Sequence, residues 1–74
     1  MNYNDLAPEQ QYFYDTAWAN LRLAYDMIKV GRKAKAQELL LEVRYFAQKV
    51  PAEFTDVELQ QNIDKLYHQI TFGF

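Results

Sequence analysis

Between Pro8 and Val30 apolar residues return every three or four positions. Tyr14, Ala17, Leu21, Ala24 and Ile28 make one stripe, widened by Trp18 and Tyr25, and this is the spacing of an amphipathic helix. A second row, Tyr12, Ala19, Leu23 and Val30, falls on roughly the opposite side at about 100° per residue. The pattern restarts beyond Gly31, where Ala36, Leu39, Leu40, Val43, Phe46, Ala47 and Val50 share one face and Leu41 and Tyr45 stand on the other. A third and narrower stripe is Leu59, Ile63, Leu66 and Ile70, with Tyr67 at its edge. The two long segments therefore carry apolar side chains on more sides than a small bundle needs to bury.

Punctuation residues set the ends. Pro8 suits a first helical turn, where its missing N–H costs nothing, and Glu9 sits favourably at the positive end of the helix dipole. Ala7 ahead of them is a poor cap, so this end is expected to fray. Gly31 fits the left-handed residue that closes a helix; a helix running straight through it is the alternative, because an interior glycine costs only about 1 kcal/mol. The change of phase across Gly31, with Arg32 and Lys35 where the stripe would continue, favours a hairpin. Pro51 biases Val50 out of the helical region and ends the second helix. Thr55 and Glu58 have the spacing of a capping box, with Phe54 and Leu59 placed as a hydrophobic staple. The expected architecture is all-α: one helical domain over 1–74, an antiparallel helical hairpin (about 8–30 and 32–50) plus a third covering helix (about 55–70). Met1 to Ala7 are expected to form an irregular arm.

Size and composition sharpen the point about surplus apolar surface. A chain of 74 residues buries only about 60% of the surface its unfolded form exposes. There is no cysteine and a single histidine, His68, which leaves neither a disulfide nor a structural zinc site to supplement the core. Twelve aromatic residues and self-association are what remain. The formal charge of −2 argues against a general, strongly basic nucleic-acid binder. The start of the chain has no basic segment leading into an apolar run, so no secretory signal is read. No apolar run is long enough to span a membrane. A soluble, cytoplasmic protein is expected.

Catalytic chemistry finds little to work with. The chain has no serine and no cysteine, and Thr16, Thr55 and Thr71 are its aliphatic hydroxyls, so a nucleophile beside a base is not in sight. Asp64 and His68 are four apart on the third helix and can share a hydrogen bond, an ordinary surface pairing. No Gly-rich phosphate loop exists, the glycines being Gly31 and Gly73. No enzyme, cofactor or metal site is therefore read. Lys29, Arg32, Lys33 and Lys35 hold half of the eight Lys and Arg residues close to the helix junction. Cations beside free backbone N–H groups suit a phosphate or carboxylate, but charge runs are usually solvated faces, and a solvated turn is the plainer explanation.

Trp18, Leu21 and Tyr25 stand in the W-x2-L-x3-Y arrangement of the first helix of a tetratricopeptide repeat. Arg22 occupies the position where that repeat prefers glycine, and Ala36 and Leu40 align with its second helix once two residues are inserted. The segment resembles a single such repeat, which implies a helix hairpin and, by analogy, protein or peptide binding.

These observations imply a non-enzymatic protein–protein interaction module that associates with itself and serves as a small regulator, inhibitor or accessory subunit. The contact residues expected are Tyr12, Leu23, Val30, Leu41, Tyr45, Phe72 and Phe74. The alternative is a protein that binds or sequesters an anionic, nucleotide-like small molecule through Lys29, Arg32, Lys33 and Lys35. Nucleic-acid binding, with tyrosines for stacking and lysines for phosphate, is the weaker alternative.

Overall fold

The computed structural model describes residues 1–54 and 56–73. A 3-10 turn, Tyr3–Asp5, leads into three helices: α1 (Pro8–Lys29), α2 (Lys33–Gln48) and α3 (Val57–Phe72). The Tyr12 and Phe13 rings at the start of α1 meet Phe46 near the end of α2, so the hairpin is antiparallel. α3 then runs in the direction of α1: Asp56 meets Tyr14, Asn62 meets Tyr25, and Gln69 shares a cleft with Ile28. The chain goes up, down and up again, with α3 seated on one side of the hairpin.

The hairpin breaks at Gly31 by the hydrogen bonding expected of a glycine stop. Gly31 has φ +79°, its N–H donates to the Ile28 carbonyl at 3.1 Å, and the Arg32 N–H donates to the Met27 carbonyl at 2.8 Å. These two bonds are the paired closure of a Schellman motif. At the far end of α2 the Lys49 and Val50 N–H groups donate three residues back, at 3.1 and 3.3 Å. The last turn is tightened there, just ahead of Pro51, which disfavours the α region for the residue before it. α2 thus ends at Gln48, two residues before the expected boundary.

The core contains no buried polar or charged residue among those described. Ala17, Leu21 and Ala24 of α1, Ala36, Leu39, Leu40 and Val43 of α2, and Leu59, Ile63, Leu66 and Ile70 of α3 form one buried cluster. All four positions of the narrow α3 stripe are buried. Small alanines on the facing sides of α1 and α2 let the two backbones approach, as close-packed interiors require. Tyr14, Trp18, Tyr25, Ile28 and Phe46 pack around the cluster without being enclosed.

Two local expectations are corrected. The residues before α1 are not an irregular arm: Asn2 N–H donates to the Asp5 carboxylate at 2.8 Å and the Tyr3 hydroxyl to Asp15 at 2.8 Å. Leu6 is buried, with 4% of its surface exposed. Ala7 is helped as a cap by Gln10, whose Oε1 accepts from the Ala7 N–H at 3.0 Å. The expected cap of α3, Thr55, lies outside the described residues; Asp56 takes the N-cap position and its Oδ1 accepts from the Leu59 N–H at 3.1 Å. Phe54 meets the Tyr14 ring edge-on, centroids 5.1 Å apart. α2 has no side-chain cap at Arg32 and no acidic residue in its first turn.

Candidate interaction surfaces

Tyr14, Trp18 and Tyr25 mark the side of α1 that α3 covers. About 100° around the helix from Tyr14 lies Phe13, and it opens a face of the hairpin that no third helix reaches. There the Phe13 and Phe46 rings stack across the two helices at 5.9 Å with 28° between planes. Tyr12 meets Phe46 edge-on at 6.5 Å and Tyr45 meets it at 5.3 Å. Lys49 extends its ammonium over the Tyr45 ring, 5.0 Å from the centroid. The two outer members remain open to solvent, Tyr12 by 60% and Tyr45 by 56%. Leu23 (42%) and Val30 (65%) continue this row along α1.

The expected contact residues are therefore all exposed where the structure describes them, but they do not make one patch. Tyr12 and Tyr45 are joined through Phe13 and Phe46, two residues the periodicity did not single out for contact. Leu41 is 67% exposed and stands one turn before Tyr45 on the same outer side of α2. Phe72 ends α3 with its ring 5.1 Å from that of His68, far along the bundle from the Tyr12 cluster. Phe74 lies outside the described residues. Val57 and Tyr67 on α3 are exposed as well, and the Arg44 guanidinium lies over Tyr67 at 5.3 Å. Neither tyrosine nor valine had signalled exposure from its place beside the stripe.

The basic run divides between the helix junction and the seam with α3. Lys35 pairs with Glu38 at 3.4 Å, and exposed Arg32 takes the N-cap position of α2. Lys29 and Lys33 turn toward α3 instead. Lys29 lines a cleft with Arg22, Tyr25, Asp26, Asn62 and Lys65. Lys33 lines the next one, with Ile28, Gly31 and Gln69. Arg22 and Lys65 were not legible as partners of Lys29, since only the seating of α3 brings them together.

Three tyrosines titrate above their ordinary value of 10.0. For Tyr14 burial is the main cause, followed by the hydrogen bond to Asp56. For Tyr25, whose hydroxyl donates to the Asn62 carbonyl at 3.0 Å, burial alone raises it. For exposed Tyr3 the hydrogen bond to Asp15 comes first. All three are hydroxyl donors in the neutral form, a packing role and not one that activates a nucleophile. Asp64 and His68 share no hydrogen bond, and no group of three metal-ligating side chains occurs among the described residues. Among the described residues no helix is long and apolar enough to cross a membrane.

Comparison with protein-family models, curated proteins and solved structures gave no match.

Proposed function

We propose that the chain is a non-enzymatic protein–protein interaction module that pairs with a second copy of itself through the face of the hairpin opposite α3, serving as a small regulator or accessory subunit. The observation that carries this reading is the exposed pair Tyr12 and Tyr45 around the Phe13–Phe46 stack, with Leu23 and Val30 exposed further along α1. Aromatic anchors of this kind dominate interface energetics. The broad side of the molecule measures 38 by 18 Å between Cα extremes, and a standard interface takes about 800 Å² of accessible surface from each partner.

A second copy is the occupant that the rim favours. Glu9 lies one turn before Phe13, and Glu42 and Lys49 lie one turn to either side of Phe46 or Tyr45, so the border holds both signs. In a two-fold arrangement the same patch faces itself, and a border of mixed sign offers each charge an opposite. A core without disulfide or metal also gains stability from pairing. The resemblance of α1 and α2 to a single tetratricopeptide-type repeat agrees in kind, since such a hairpin normally stacks on a neighbour.

The test is mass in solution. Light scattering at tens of micromolar protein is expected to give a dimer, and Tyr45→Glu or Leu23→Glu to return the monomer with unchanged helicity. A clean monomer of the unaltered chain at that concentration overturns the proposal.

A further inference from the structure

A second surface lies on the other side of α1, along the seam with α3, and it differs in character. Its first part is a cleft of about 410 Å³ between Trp18, Leu21, Tyr25 and Asn62, edged by Arg22. Arg22, Tyr25 and Asn62 also line the adjoining cleft, where Lys29 and Lys65 join them. The two form one groove, apolar at the Trp18 end and basic beyond it. Its three cations face a single carboxylate, Asp26, and none of them lies within ion-pair distance of any acid among the described residues. This concentration of unpaired positive charge occurs in a chain whose net charge is −2.

We propose that this groove binds a short acidic peptide segment, one bulky apolar side chain entering between Trp18 and Tyr25 and the following carboxylates meeting Arg22, Lys29 and Lys65. The site is independent of the self-pairing face, which lies across α1 from it. Geometry fixes the length. Arg22 and Lys29 are seven residues apart on α1, about 10 Å at about 1.5 Å per residue, and an extended peptide spans this in about three residues. An anchor with acids on the next four or five positions therefore reaches both cations. Arg22 can take a carboxylate in two-point fashion, whereas Lys29 and Lys65 act as point charges.

A peptide fits better than a nucleic acid for two reasons. Trp18 and Tyr25 are both partly buried and line a single apolar notch, not the run of open rings on which successive bases stack. The basic stretch is also short, and a long polyanion would run on past it over an acidic molecule, whereas two or three carboxylates are matched where they lie.

The experiment is fluorescence anisotropy of the full chain at low salt, using a fluorescein-labelled hexapeptide of one leucine followed by five glutamates. The same peptide with glutamines and a single-stranded oligothymidine serve as comparisons. The glutamate peptide is expected to bind, with the glutamine peptide weaker by about tenfold or more, as loss of charge-assisted contacts implies. Arg22→Gln and Lys65→Gln, both at exposed positions, are each expected to weaken binding severalfold, and Lys35→Gln outside the groove to leave it unchanged. Circular dichroism verifies that the variants fold, and amide shift changes are expected at Arg22, Lys29 and Lys65. Absence of binding at hundreds of micromolar protein overturns the proposal. So does binding that is indifferent to Arg22→Gln and Lys65→Gln, or tighter binding of the oligothymidine through those residues. None of these outcomes bears on the dimer, whose mass is read separately.

Discussion

Tyr14 and Asp56, far apart in sequence, are joined by a hydrogen bond from the tyrosine hydroxyl to the carboxylate. The other oxygen of the same carboxylate accepts from the Leu59 N–H and starts α3. One acid thus both caps a helix and fastens that helix to α1. Asp56→Ala removes both functions and is expected to destabilise the fold by about 1–3 kcal/mol, the range for a lost cap and a partly buried hydrogen bond. Tyr14→Phe removes one and is expected to cost about 1 kcal/mol. Urea denaturation of the two single variants and the double variant measures their coupling, and the double loss is expected to fall short of the sum.

Alkaline stability follows from the tyrosines. Tyr14 and Tyr25 have folded-state pKa values raised above 10.0, so the folded chain holds their protons more firmly than the unfolded chain. Their contribution is fully present below the unfolded value and is lost as pH rises through the folded values. Urea midpoints are expected to be level up to about pH 9 and to decline above the ordinary tyrosine value near 10. Tyr25→Phe is expected to flatten the decline, because a phenyl ring has no proton to lose. A slope identical to that of the unaltered chain would contradict this assignment.

Gly31 is required by its backbone angle and not by crowding. A Cβ placed there meets nothing within 4 Å, but φ is +79°. Gly31→Ala is therefore expected to destabilise by about 1–2 kcal/mol, the cost of the left-handed conformation for an L-residue. Gly31→Asn is expected to cost less, because asparagine tolerates that region. For a domain of this size the alanine change lowers the midpoint of thermal unfolding by about 4–8 °C per kcal/mol.

Exposed and buried leucines separate assembly from folding. Leu23→Glu is expected to abolish pairing while leaving thermal stability of the monomer within about 0.5 kcal/mol, as is usual for surface changes. Leu66→Ala, at a fully buried position, is expected to cost about 2–5 kcal/mol. Val57→Glu, exposed on α3, is expected to change neither. Light scattering and thermal melts on the three variants distinguish the two roles.

Periodicity alone placed three helices, the break at Gly31 and the four buried positions of α3, because each rests on residues near one another in the chain. The N-cap of α3 is Asp56, one residue after the Thr55 that the capping-box spacing suggests, and a long-range bond from Tyr14 that no local pattern shows engages its carboxylate. The docked turn at Tyr3–Asp5 left no trace in the pattern, since Leu6 is a lone apolar residue without a repeat. Surplus apolar surface was legible in the rows of α1 and α2. How it divides was not: Phe13 and Phe46 link Tyr12 to Tyr45 only once the helices are antiparallel. Arg22 and Lys65 likewise become neighbours of Lys29 only once α3 lies along α1.

The uncapped start of α2 has a dynamic consequence. The first hydrogen bond there runs from the Ala36 N–H to the Arg32 carbonyl at 3.1 Å, so the amides of Lys33, Ala34 and Lys35 precede any intrahelical bond. With no side-chain cap at Arg32 and Lys33 and Lys35 at the wrong pole of the dipole, this turn is expected to be the least stable helix start of the three. Its amide protons should trade with deuterated solvent soonest, well ahead of those in the Val43 region, so the molecule loosens from the junction and not from its aromatic end.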